Sequence, residues 1–166
     1  SLFQPPHTVA YQLYVEEGMP SLAALAGSQG YETTAFHPYL SSGWNRTSVY
    51  PWLGFDEVHF QEDVQEPQYI RNYVSDLSDY EQLFRWTEES AGPTMIFNVT
   101  MQNHGGYDWD GDGYFDKRIY LTGEEQDKYP TVDQYLSLVR YSDGRPGASS
   151  LPQASMSPRS SSVVTV

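Results

Sequence analysis

The chain has 166 residues, a length that suits a single domain or part of one. It carries 9 Lys and Arg against 22 Asp and Glu, a net charge of −13, which argues against nucleic acid or an anionic membrane surface as a partner held by bulk electrostatics. Cysteine is absent, which excludes disulfides and thiolate metal sites, and no apolar run approaches the ~20 residues that span a bilayer.

In chain order, residues 1–18 read as a loop crossing a surface, with Pro5-Pro6 and then Tyr11, Leu13, Tyr14 and Val15 suited to a short helical turn. Pro20 opens a predicted helix over 20–29, with Leu22, Leu25 and Ala26 as its apolar stripe and Gly27 or Gly30 at its end. Tyr31 to His37 follows as a strand rich in Thr, Ala and Phe. Ser41 to Tyr50 reads as a short helix with a serine N-cap, Trp44 and Arg46 on its first turn, and Pro51 closing it. Phe55 to Phe60 alternates as a short strand, and the acidic stretch from Gln61 to Leu77 reads as a loop with a helical turn or two around Tyr69, Ile70 and Tyr73. Ser78 is the expected cap of a helix over 79–90 with Tyr80, Leu83 and Phe84 on one face.

Met95, Ile96, Phe97 and Val99 form a nearly continuous apolar run, the pattern of a strand buried on both faces of a parallel sheet. It gives a predicted strand over 94–101 that stops at Gln102-Asn103-His104 and Gly105-Gly106. After an acidic loop, Thr131 caps a predicted helix to Arg140, with Val132, Tyr135, Leu136 and Val139 on one face. Residues 144–166 are rich in Ser and Pro without periodicity and read as a disordered tail. Alternating helices and strands predict a three-layer α/β domain over 1–143 with a mostly parallel sheet.

Ligands in open α/β sheets bind outside the carboxyl ends of the strands. His37 and His104 each come just after a predicted strand and therefore face one crevice. Arg46 offers a planar fork of donors for phosphate or sulfate oxygens, and Trp44 an apolar wall for a carbon skeleton. The four are expected to converge on one concave site. A second candidate is Asp108, Asp110, Asp112 and Asp116, which match the first half of a calcium loop with Gly113 at its turn, although Ile119 stands where such a loop has Glu. The alternative for that loop is an acidic, solvated insertion, and the corresponding alternative for the whole chain is a non-catalytic, calcium-binding module.

The motifs A-F-H-P-Y, G-W-N-R, V-Y-P-W-L-G-F-D, N-V-T-M-Q-N-H-G-G-Y and Q-Y-L-S-L-V-R-Y-S-D, in this order from Pro20 to Asp143, resemble the lipoteichoic acid synthase group. These are phosphoglycerol transferases with a sulfatase-like, alkaline-phosphatase-type domain held outside the bacterial cytoplasmic membrane. The resemblance implies a metal-bound Thr nucleophile, a manganese or magnesium ion, and a phospholipid-derived phosphoglycerol headgroup or another phosphate or sulfate ester as substrate. It implies that His104 is catalytic and that His37, Trp44, Arg46 and Asn103 bind substrate. Tyr39 and Gly43 depart from the pattern, which leaves a phosphoethanolamine transferase or a sulfatase open. The T-G-N-S-like nucleophile motif, the upstream Glu ligand and the G-D-H metal motif have no counterpart in the sequence. The expectation is therefore a fragment, inactive by itself, whose membrane anchor lies in parts of a longer parent.

Overall fold

The computed structural model describes residues 9–111, 115–144 and 162–165. After a one-turn helix α1 (Ala10–Tyr14), α2 (Leu22–Ser28) begins at Ser21, whose side chain accepts the Ala24 amide and whose hydroxyl donates to the Leu53 carbonyl. β1 (Glu32–His37) comes next, buried at every position but its first.

Helix α3 (Arg46–Trp52) starts later than a serine cap predicts. Trp44 and Asn45 both have left-handed backbone, at φ 61 and 56, so helical geometry cannot begin before Arg46. Pro51 lies inside its last turn rather than ending it. β2 (Glu57–Phe60) leads into a 3-10 turn at Gln61–Asp63. The helical turns expected near Tyr69 are instead a small hairpin, β3 (Tyr69–Ile70) and β4 (Tyr73–Val74). Its two-residue connection needs positive φ, and Arg71 supplies it at φ 57.

α4 (Asp76–Glu89) is capped by Ser75, whose side chain accepts the Ser78 amide; Ser78 is already inside the helix. β5 (Thr94–Asn98) is shorter than the predicted strand. α5 (Glu124–Lys128) and α6 (Val132–Gly144) come after it. The last strand, β6 (Ser162–Thr165), corrects the expectation of a featureless tail: Val163 and Val164 pair in parallel with Ile96 and Phe97. Four residues, three of them β-branched, suffice for an edge strand and leave no periodicity to read. Residues 145–161 of that tail lie outside the described residues.

The sheet has the order β2-β1-β5-β6 and is parallel throughout. Side chains alternate across it. On one face Phe36 and Ile96 pack with Val64, Val74 and Leu83 under α4, and Trp86 meets Phe36 edge-on at 4.9 Å. On the other face Phe97 meets Tyr50 of α3 at 6.2 Å and Phe55 at 6.0 Å. The three-layer α/β arrangement is the expected one. Burying a side chain such as Phe36 or Ile96 contributes ~1.5–3 kcal/mol.

A polar pair is sealed under α4. Asn98 Nδ2 donates to Asp79 Oδ1 at 2.8 Å, and both residues are fully buried. Asp79 Oδ2 and Asn98 Oδ1, both acceptors, have no partner among the described residues. Desolvation favours the protonated carboxyl, in which Oδ2 becomes a donor instead of a buried, unpartnered charge. Burial pushes the Asp79 carboxyl up to about 7 in accord with that arrangement, against the Asn98 bond that lowers it.

Candidate functional site

The carboxyl edge of the sheet is built by the residues at the ends of β1 and β5. His37 ends β1 with only 1 % of its surface exposed. Val99 extends the ladder past β5, its amide bonding to the Phe36 carbonyl, and its own carbonyl lies 2.8 Å from His37 Nδ1. A carbonyl only accepts, so Nδ1 carries the proton. Burial, the largest cause, lowers the His37 pKa to about 4; the Val99 bond opposes it, and the charges of Arg46 and His104 add to it. His37 is therefore a neutral imidazole near pH 7, and its Nε2 is an acceptor. This tautomer cannot be read from sequence, and it makes His37 a partner for a hydroxyl rather than for a phosphate oxygen.

The charges of Arg46 and His104 both bear on His37 at the end of β1. A row of rings joins the histidines: His37 to Tyr39 at 6.3 Å, Tyr39 to Tyr73 at 5.7 Å, Tyr73 to His104 at 5.6 Å. His104 is exposed, with Nδ1 at 3.4 Å from the Tyr73 hydroxyl. Arg46, on the first turn of α3, lies 5.9 Å from the Trp44 ring and places a charge beside Tyr50. No Asp or Glu is paired with Arg46 among the described residues. Trp44 is 53 % exposed, turned outward by its left-handed backbone.

Asn103 is engaged elsewhere. Its amide nitrogen donates to Ser142 Oγ on α6 at 2.8 Å, and the same hydroxyl donates to Asp76 at 2.6 Å. Gln102 joins this network, donating to Asp76 and Ser142 at 3.0 and 3.1 Å.

The residue that sequence reasoning missed is Arg71. It is 4 % exposed, and its guanidinium reaches the carbonyls of Gln102, His104 and Gly106 at 2.9, 2.8 and 2.7 Å. A lone Arg in an acidic stretch gives no spacing signal for contacts to backbone. Beside this loop lies a cleft of about 350 Å3 lined by Arg71, Asn72, Tyr73, Gly105, Gly106 and Trp109 together with Asp108 and Asp110. A larger one, about 550 Å3, opens at the other end of the sheet between Glu32, Asp56, Glu57 and Glu89, where an anion would be repelled.

Among the described residues Asp108, Asp110 and Asp116 of the expected calcium loop form no metal-holding group. Trp109 exchanges backbone bonds with Gln134, the Asp116 amide bonds to the Tyr141 hydroxyl, and the Leu121 amide to Asp133, so the segment runs up α6 and back. Asp108, Asp110 and Asp116 are exposed along that path, and Asp116 lies 3.8 Å from Arg118 Nε. Asp112 lies outside the described residues. Among the described residues no group of three or more His, Asp or Glu side chains is placed to hold a metal ion. None of the described helices is long and apolar enough to cross a membrane.

The sulfatase family model matches residues 4–144. A Rhizobium meliloti protein named for cyclic beta-1,2-glucan modification is 32 % identical over 142 residues, which cover 86 % of this chain and 21 % of that protein. The crystal structure of lipoteichoic acid synthase LtaP from Listeria monocytogenes superposes with a TM-score of 0.75 at 24 % identity, over 96 % of this chain and 39 % of that one. Phosphoglycerol transferase GacH from Streptococcus pyogenes, solved in complex with sn-glycerol-1-phosphate, gives a TM-score of 0.62 at 20 % identity, over 95 % and 41 %. At these identities the structures speak for the fold. The chain thus spans about a fifth of that curated relative's length and about two fifths of the two solved chains.

Proposed function

The chain belongs to the sulfatase family, and on that premise we propose that it is a segment of an extracellular, metal-dependent phosphoglycerol transferase and supplies the part of the site that holds the phosphate ester and its headgroup. The observation that supports this reading is a neutral His37 at the carboxyl end of β1 on which the charges of Arg46, free of carboxylates among the described residues, and of the exposed His104 both bear. Each side chain has a distinct task. Arg46 forks onto phosphate oxygens, a charge-assisted contact of ~1.5–3 kcal/mol. His37 Nε2 accepts a hydrogen bond from a headgroup hydroxyl. Trp44 lies along the glycerol carbons. His104, exposed beside the Tyr73 hydroxyl, bonds to the ester oxygen that changes partner. Asn103 acts through α6, holding the strand-to-loop junction from which His104 projects.

The described residues do not fit the manganese or magnesium ion expected of the family, since no cluster of ligands is placed for it. The part proposed for this chain is therefore binding of the ester. The ion, the nucleophile and the membrane anchor belong, in this proposal, to the rest of a longer protein, on the outer face of the cytoplasmic membrane.

The test is a titration of the chain with sn-glycerol-1-phosphate, monitored by NMR of the histidine rings and the arginine Nε–H groups. Saturable shifts at His37, Arg46 and His104 are expected, and Arg46→Ala should weaken affinity about tenfold or more, from the magnitude of a charge-assisted bond. Equal affinities for wild type and Arg46→Ala, or shifts confined to the acidic cleft at the other end of the sheet, would refute it.

A further inference from the structure

Five consecutive carbonyls, from Gln102 to Gly106, all face side-chain donors. Arg71 takes those of Gln102, His104 and Gly106. The Tyr107 hydroxyl donates to Asn103 O at 3.1 Å, and the Tyr73 hydroxyl lies 3.4 Å from Gly105 O. The guanidinium is sandwiched by rings, 5.1 Å from Tyr73 and 5.9 Å from Tyr107. No carboxylate pairs with Arg71 among the described residues, so carbonyl dipoles and ring faces alone meet its buried charge. A buried cation without a counter-ion is costly, and a neutral side chain could fill the same volume. Carbonyls pointing toward one centre, in contrast, repel one another unless a cation sits there.

We propose that Arg71 is the positioning residue for His104. It acts as the fixed cation around which the Gln102–Gly106 loop is wound, and so aims the His104 ring. The His104 amide bonds to Met101 O at 2.9 Å and its carbonyl to Arg71, so both backbone groups are held and the ring keeps only side-chain rotation, limited by Tyr73. A lysine cannot substitute: its compact ammonium neither spans three carbonyls in a plane nor stacks between two rings. The proposal rests on the reading of His104 as part of the ester-binding site, and its test separates the two.

The experiment uses the full chain with Arg71→Lys, and Arg71→Gly with and without added guanidinium. Three readouts are measured: hydrogen exchange at the His104 amide, the His37 and His104 ring signals, and affinity for sn-glycerol-1-phosphate. In Arg71→Lys, exchange at His104 should speed up about tenfold or more through local opening, its ring signal should move, and the His37 ring should stay in place. Affinity should fall about tenfold, the amount a lost charge-assisted contact costs. Guanidinium should restore all three in Arg71→Gly. Wild-type exchange and ring signals in Arg71→Lys would overturn the proposal, and so would global unfolding of both variants that guanidinium does not reverse. A wild-type chain that does not bind sn-glycerol-1-phosphate sinks the ester-site reading alone, because exchange and ring signals still decide the role of Arg71.

Discussion

His37 and Asp79 should make stability depend on pH in opposite senses, and substitution can separate them. The folded chain holds His37 neutral, with its pKa lowered from 6.5 to about 4 by burial. Its contribution is fully present above 6.5 and is lost as pH falls through about 4, because the unfolded chain takes up the proton first. At ~1.4 kcal/mol per pH unit, the loss across that window is about 3 kcal/mol. Asp79 has the opposite sign, with its pKa raised from 3.8 to about 7. Its contribution is fully present below 3.8 and is lost as pH rises through about 7, an amount of about 4 kcal/mol. Where the two windows overlap, from about 4 to 6.5, the opposite slopes largely offset, and wild-type stability should change little on their account. His37→Asn retains an N–H for the Val99 carbonyl and removes the imidazole; relative to wild type, it should gain about 3 kcal/mol as pH is lowered. Asp79→Asn keeps an acceptor for Asn98 Nδ2 and cannot ionise, and it should be the more stable protein above neutral pH, by up to a few kcal/mol. The assay is urea unfolding monitored by tryptophan fluorescence at several pH values, with differences between variants cancelling the titration of the surface carboxylates. A difference between wild type and His37→Asn that stays constant within ~0.5 kcal/mol from acid to neutral pH would show that His37 is not a buried neutral base.

Two further outcomes concern packing. Phe36→Ala removes a ring with no exposed surface from between α4 and the sheet, and should cost ~3–5 kcal/mol in the same unfolding assay. Gly54→Ala should cost ~1–3 kcal/mol, since φ is +84 there and a Cβ would lie 3.1 Å from that of Ala24; a neutral result would mean that the contact between α2 and α3 yields freely.

β5 was legible because it reads as a nearly continuous apolar run, β1 because Thr, Ala and Phe favour a strand, and α4 because Tyr80, Leu83 and Phe84 recur at helical spacing after an acidic first turn. The turns were less legible. Ser75 and Ser78 are equally good caps by residue type, and only the tertiary fit, in which Ser78 Oγ accepts the Gln68 amide, separates them. The left-handed pair at Trp44 and Asn45 opposes propensity and had no local signal. His37, Arg46 and His104 were grouped by their relation to strand ends, which is a topological argument about where a parallel sheet places such residues. The bond from Val99 that sets the His37 tautomer, and the carbonyl ring around Arg71, depend on backbone atoms that every residue has, so residue identity cannot announce them.

The order β2-β1-β5-β6 has a kinetic consequence. Thr34 aligns with Ile96, and Ile96 with Val163, so the central pairings join segments far apart in the chain. Loop-closure entropy must be spent before those contacts return anything, and proteins dominated by such pairings fold in ~ms–s rather than microseconds. On the ribosome, β1 emerges with its apolar faces complete and waits for β5 before either can be covered. Until then Phe36 and Ala35 are open to wrong partners, and the acceptor on His37 has no Val99 to set it. The binding edge therefore forms late, in the same step that closes the core, and a slow or chaperoned folding phase should coincide with the first appearance of ligand affinity.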